Sequence, residues 1–204
     1  SSLKSIAIPN SVKTIEDNTF DCCRSLSSLT ISTNVKRIDG CAFCSTSLSS
    51  IKVNTNSITE FAESNLLSLL FETAGVSWYN LPDEIHVYID GVEQTGHLVI
   101  PEGTTSINRF AFCQCKDITS VEVPSSVTSI GEYAFYGLQT VHINATTPPA
   151  ITSTNIINEN AFIVLPDAAT LATYQSTPIW EEFGTRLVTK DAMQLREVTV
   201  AANN

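Results

Sequence analysis

The chain has 204 residues, 43% of them hydrophobic, enough for one core and too apolar for a disordered segment. Eleven Lys and Arg stand against 21 Asp and Glu, a formal charge of −10 with no basic cluster to offset it. Such a surface repels phosphate backbones and anionic lipid faces, so no nucleic-acid partner is expected, and the longest apolar run, Leu66 to Phe71, is too short for membrane insertion.

Residues 1–54 read as a first group of repeats. Leu3, Ile6 and Ile8 recur as Leu26, Leu29 and Ile31, and again as Leu48, Ile51 and Val53. Behind the first two strands follow Val12, Ile15 and Phe20, then Val35, Ile38 and Phe43, at matched offsets. In each Leu-x-x-Ile-x-Ile the last three positions alternate in, out, in, the period of a strand. A Pro or polar residue then ends it, because proline cannot donate to a ladder. One unit cannot cover its own apolar face, so the units must stack. The pattern opens in mid-repeat at Ser1-Ser2-Leu3 without a signal stretch, as a piece trimmed from a longer chain would.

Residues 55–97 break the pattern and read as an irregular insertion or degenerate repeat. The register of Val53 asks for a Phe near position 65, where Asn65 stands. Apolar residues at 58, 61, 62, 66, 69 and 70 predict a helix over 57–71. Ile85 to Ile89 alternates like a strand, and Asp90-Gly91 is a hairpin turn signal. Residues 98–165 resume the repeats with Leu98, Ile118-Val121-Val123 and Leu138-Val141-Ile143, backed by Thr104, Ile107, Phe112 and Val127, Ile130, Phe135. Residues 166–204 read as a C-terminal cap and tail. Pro166 opens a helix to Gln175, Ile179, Trp180 and Phe183 form an apolar cluster, and 191–204 are expected to be a strand or a frayed end.

The fold predicted is a leucine-rich-repeat solenoid: a parallel β-sheet on one face, an irregular, short-helical far side, and a C-terminal helical cap. Phe20, Phe43, Phe112 and Phe135 are expected to stack as a buried ladder on the far side. The six cysteines are expected to be mostly reduced and internal, with a disulfide through Cys22 or Cys44 as the alternative. Adjacent Cys22 and Cys23 cannot both aim at one ion, so no metal site is expected. His86 and His97 flank the hairpin turn and could face each other across it. No nucleophile motif, phosphate loop or paired carboxylates accompany them, so neither catalytic residues nor a cofactor is expected.

These residues resemble the BspA-like leucine-rich repeats. The shared signature is an Ile-Pro step, a Val-x-x-Ile step, an Ala-Phe pair and a Cys three residues later. Ala42-Phe43, Ala111-Phe112, Ala134-Phe135 and Ala161-Phe162 match the pair, Thr19-Phe20 departs from it, and Cys23 and Cys115 match the trailing Cys. The resemblance covers about residues 3–53 and 98–183. It implies a cell-surface or secreted protein-binding module, an adhesin with no catalytic activity, whose partner is a host extracellular-matrix protein or another microbial surface protein. The alternatives are a hydrolase or enzyme appendage with a pocket near His86 and His97, and a structural spacer.

The alternation fixes which strand residues face outward: Ser5 and Ala7, Ser28 and Thr30, Ser50 and Lys52, Ser120 and Glu122, Thr140 and His142. Of these, Ser28, Thr30, Ser50, Lys52, Ser120, Glu122, Thr140 and His142 form the expected ligand face, rich in hydroxyls and nearly free of aromatics. Hot spots favour aromatics and Arg, so Trp78, Tyr79 and Tyr88 are the competing anchors.

Overall fold

A computed structural model describes residues 2–76, 82 and 84–202, without the side chains of 197–200 and 202. Strand β1 (Ser5–Ala7) is followed on the far side by β2 (Thr14–Ile15), and β3 (Ser28–Ser32) by β4 (Arg37–Ile38). After β5 (Ser50–Thr55) the far side turns helical, with α1 (Ile58–Ala62), α2 (Leu66–Ser68) and a π-helical turn over Leu69–Thr73. Strands β6 (Glu84–Ile89) and β7 (Val92–Glu93) form the hairpin signalled by Asp90-Gly91. The alternation then resumes with β8 (Gly96–Val99), β9 (Ser106–Ile107), β10 (Ile118–Val123), β11 (Ser129–Ile130) and β12 (Thr140–Ile143). The chain closes with β13 (Phe162–Leu165), α3 (Ala168–Gln175), a 3-10 segment Trp180–Arg186, β14 (Leu187–Thr189) and α4 (Lys190–Ala202).

Two five-stranded sheets result, β1-β3-β5-β6-β7 and β8-β10-β12-β13-β14, parallel throughout except where β7 returns on β6. Register follows the repeat: Ile6 lies beside Leu29, Leu29 beside Ile51, and Ile51 beside Ile85. In the second sheet Leu98 lies beside Val121, Val121 beside Val141, and Val141 beside Ile163. These inward residues from Leu29 onward are buried, in one core that runs from Ile15 to Leu187. At roughly 25 cal/mol per Å² of apolar surface, such burial is the main stabilising term.

The far side is shaped by a repeated backbone device. Asn18 and Cys22, Cys41 and Ser45, and Phe110 and Gln114 are pairs four residues apart in left-handed conformation; Tyr133 and Gly137 are the fourth pair. Each pair brackets the Phe of its coil, folding the backbone tightly around the ring. Gly137, at φ 107°, is the residue type for which this conformation is free of strain. Gly131 is needed for another reason, since a Cβ there would lie 2.5 Å from the Arg109 nitrogen of the preceding coil.

Phe43, Phe112 and Phe135 are fully buried, as the ladder requires, but Phe20 is only half-buried. It stacks on Phe43 at 5.1 Å and sits in the first of the described coils. The ladder is also not one unbroken stack. Where Asn65 replaces the expected ring, α1 supplies Phe61, edge-on to Phe112 at 5.3 Å, and the π-helical turn supplies Phe71 against Phe110 at 5.2 Å.

Phe162 departs from its expected place. It opens β13 beside Thr140, on the outward register, while Ile156 and Ile157 fill the far side of that coil. Residues 191–202, expected to be a strand or a frayed end, instead belong to α4, whose Arg196 guanidinium lies 4.8 Å from the Phe162 ring centre. Tyr174 and Trp180 are fully buried against the segment that follows β12, donating to the carbonyls of Ala145 and Pro149 at 2.9 and 2.8 Å.

Candidate functional site

Of the outward residues, Thr30, Lys52, Glu122 and His142 stand between buried neighbours, as alternation demands, while Ser28, Ser50, Ser120 and Thr140 have a buried neighbour on one side only. Ser28, Thr30, Ser50, Ser120, Glu122, Thr140 and His142 are half-buried and Lys52 is exposed. They form two rows instead of one, because β5 is followed by β6, and β7 then closes the first sheet before β8 opens the second.

On the first sheet, Thr30 lies beside Lys52 and Lys52 beside His86; in the next register Ser32, Asn54 and Tyr88 align. Lys52 sits over the Tyr88 ring at 5.6 Å, a cation–π pair. Tyr88 is therefore part of the sheet face rather than a rival to it. Trp78 and Tyr79, the other expected anchors, lie outside the described residues. Beyond Tyr88 the strand ends border a groove of about 260 Å³ lined by Asn10, Ser32, Asn34, Asn54, Asn56 and Asp90. Amides dominate it, and each offers both donors and an acceptor. Burial, with a hydrogen bond to Glu93, raises the Tyr88 phenol above its ordinary range, so its hydroxyl stays neutral.

On the second sheet, His97 Nδ1 lies 2.7 Å from Ser120 Oγ and its Nε2 lies 3.6 Å from Glu122. The His97 and His142 rings meet edge to face at 5.8 Å. Asn144 donates to Glu122 at 2.8 Å; that hydrogen bond, opposed by burial and aided by Lys190 and His97, lowers the Glu122 carboxyl. Ser120, His97 and Glu122 resemble a hydrolytic constellation in residue type. Their setting is an open sheet face, where β10 is paired on both sides and its N–H groups serve the ladders rather than an oxyanion.

The two histidines expected to face each other do not meet, since His97 belongs to β8 in the second sheet. His86 is instead ringed by carboxylates: Glu93 Oε1 at 2.7 Å and Asp117 Oδ2 at 2.8 Å from Nδ1, and Glu84 Oε2 at 3.3 Å from Nε2. Burial pulls its pKa down, but hydrogen bonds to Glu93 and Glu84 and the charge of Asp117 outweigh that and hold it above the ordinary value. Sequence reasoning missed this cluster. Glu84 and Glu93 lie near His86 in the chain; Asp117 arrives through the fold, where Ile85 donates to the Gln114 carbonyl and Gly96 to that of Asp117.

Four of the six cysteines are free, in line with a mostly reduced set, while the alternative of a disulfide through Cys44 also occurs and two of the free thiols are not internal. Cys41 and Cys44 are bridged, while Cys22, Cys23, Cys113 and Cys115 are free. Cys22 is exposed and Cys23 half-buried. Burial raises Cys113 to about 12 and Cys115 well above the usual thiol range, so both stay protonated and inert.

The family model described as BspA type leucine rich repeat region matches six copies, over residues 1–76 and 91–176. A search of curated proteins finds no match. Among solved structures, the chain is similar to a leucine rich cell surface protein from Faecalibacterium prausnitzii at 24% identity and a TM-score of 0.39, covering 80% of this chain and 48% of that one. It is also similar to a leucine-rich repeat protein from Eubacterium ventriosum at 12% identity and a TM-score of 0.30, covering 82% of this chain and 68% of the other. The chain thus spans about half the length of the first of these. Among the described residues, no helix is long and apolar enough to cross a membrane.

Proposed function

This chain belongs to the BspA-type leucine-rich-repeat family, and from that membership we propose a recognition module, borne at a cell surface or secreted, that binds a protein partner without catalysis of its own. The chain acts as one solenoid: residues 1–54 and 98–165 supply the repeats, 55–97 an irregular unit between them, and 166–204 the cap that covers the last coil. The partner class is a host extracellular-matrix protein or a surface protein of another microbe.

One observation carries the reading: strand register gathers Thr30, Lys52 and Tyr88 on one open face beside an amide-lined groove. An aromatic ring with a cation over it is the kind of anchor that hot spots use, and the surrounding hydroxyls and amides supply hydrogen bonds. The second sheet is the weaker candidate, because α4 lies against its last strands. A single face of this size binds modestly and gains strength from many copies on one cell.

The test is binding of the chain to immobilised matrix proteins and to microbial cells, with each variant shown by circular dichroism to be folded. Lys52→Glu with Tyr88→Ala is expected to abolish binding, Thr30→Arg to weaken it, and Thr140→Arg to leave it nearly unchanged. Loss of binding only in a Trp78→Ala, Tyr79→Ala variant would refute the sheet face as the site.

A further inference from the structure

We propose that His86, Glu93 and Asp117 form a binding site for a divalent transition-metal ion that fastens the hairpin to the second group of repeats. The argument begins with the Nδ1 atom of His86. It can carry one proton, yet it lies 2.7 Å from a Glu93 oxygen and 2.8 Å from an Asp117 oxygen. One proton serves one of those acceptors well; a cation bound by Nδ1 and both oxygens serves all three. The three ligand atoms lie within 4.8 Å of one another. An ion at about 2.0–2.2 Å from each requires the short edges to open by only a few tenths of an ångström. The Glu93 and Asp117 side chains, 35% and 45% exposed, have that freedom.

The other face of the imidazole supports the same reading. With Nδ1 on the metal, Nε2 carries the ring proton and points at Glu84 Oε2, 3.3 Å away. A carboxylate on the distal nitrogen of a metal-bound histidine fixes its tautomer and raises its basicity. One nitrogen and two carboxylate oxygens, with the remaining positions open to water, suit Zn²⁺, Mn²⁺ or Co²⁺. Ca²⁺ is disfavoured, because it takes six to eight oxygen ligands.

The three ligands come from β6, β7 and the segment just before β10. The ion would therefore join the first sheet and its hairpin to the coil that begins the second. Lys52 lies directly beside His86 and Tyr88 directly across from Glu93, so the ion would also steady the proposed recognition face. The site does not depend on that function, and its test reads metal binding alone.

The experiment titrates the whole chain, freed of metal by chelation, with Co²⁺ at neutral pH. Expected are about one bound ion, ligand-field bands of a nitrogen–oxygen site, and no thiolate charge-transfer band. Asp117→Asn and Glu93→Gln should each weaken binding by about 10-fold or more, Glu84→Gln about 10-fold, and His97→Ala not at all. Excess Ca²⁺ should not displace the ion. A second measurement uses the unaltered chain: substoichiometric Mn²⁺ should broaden the imidazole proton resonances of His86 before those of His97 and His142. No Co²⁺ binding, a thiolate band, affinity untouched by Asp117→Asn, or earlier broadening at His97 or His142 would each overturn the proposal.

Discussion

Phe112 is enclosed on both sides, edge-on to Phe61 and stacked at 5.8 Å on Phe135, and no part of it reaches solvent. Among the described residues, Phe20 meets a ring on one side only. Truncating the first leaves a cavity that flanking coils cannot close, so Phe112→Ala should cost about 3–5 kcal/mol. Phe20→Ala should cost roughly 1–2 kcal/mol, because part of its surface is already wet. Urea unfolding of the two variants checks the order, and equal losses would contradict it. The period of the repeat made Phe112 and Phe135 legible in sequence, since both sit at fixed offsets behind a strand. Phe61 and Phe71 were not legible as ladder rings because they reach the same layer from a helix, with its different period. The Cys41–Cys44 bridge was legible only in part: a disulfide through Cys44 was the open alternative, but its partner was not. Spacing shows the two thiols but not the left-handed Cys41 backbone that turns the chain between them.

Helix α1 takes the place of a far-side turn, and its seating depends on one carboxylate. Ser57 caps its first turn by accepting from the Glu60 nitrogen at 3.0 Å. Glu60 in turn accepts from Thr33 at 2.8 Å and Asn56 at 2.7 Å, tying the helix to the preceding coil. Burial pushes the Glu60 pKa up, but those two hydrogen bonds and the charge of Lys36 outweigh it and leave the value lowered. A carboxyl lowered on folding stabilises the fold above its unfolded pKa and loses that contribution as pH falls through the folded one. Stability should therefore decline from the ordinary glutamate range downward, and Glu60→Gln should flatten that part of the curve. Thermal melts across the acidic range, wild type against variant, give the comparison; parallel curves would remove Glu60 from the account. The middle helix and hairpin were readable from spacing and from Asp90-Gly91. Strand β13 was not, because Phe162-Ile163-Val164-Leu165 lacks the alternation of the earlier strands. Its outward Val164 pairs with Val188, and both are buried outside the main core on strands packed against α4. A strand covered on both faces reads as a continuous apolar run.

Across the whole molecule, the question is whether the irregular unit divides the repeats or couples them. Repeat arrays unfold as one body when each interface between units is strong, and in pieces when one interface is weak. The sheets do break at the hairpin, which removes ladder hydrogen bonds between β6 and β8. The far side does not break. Phe61 packs on Phe112 and Phe71 on Phe110, Asn108 donates to the Ala62 carbonyl at 2.8 Å, and Thr59 meets Thr104 at 2.9 Å. Arg109 pairs with Glu72 in the middle unit and with Glu132 in the next coil, its guanidinium stacked near Phe110 and Tyr133. Together these contacts join aromatic packing to hydrogen bonds and an ion pair across the junction, so coupling should win over the missing ladder. Phe43→Ala in the first group and Phe135→Ala in the second are then expected to lower one shared melting transition. Its calorimetric enthalpy should equal the van't Hoff value for each protein. Two transitions, with Phe43→Ala moving only one of them, would mean that the hairpin gap governs and that each group folds by itself. Chelator and added Co²⁺ sharpen the comparison, because an ion held by His86, Glu93 and Asp117 would strengthen this same junction and leave the others unchanged.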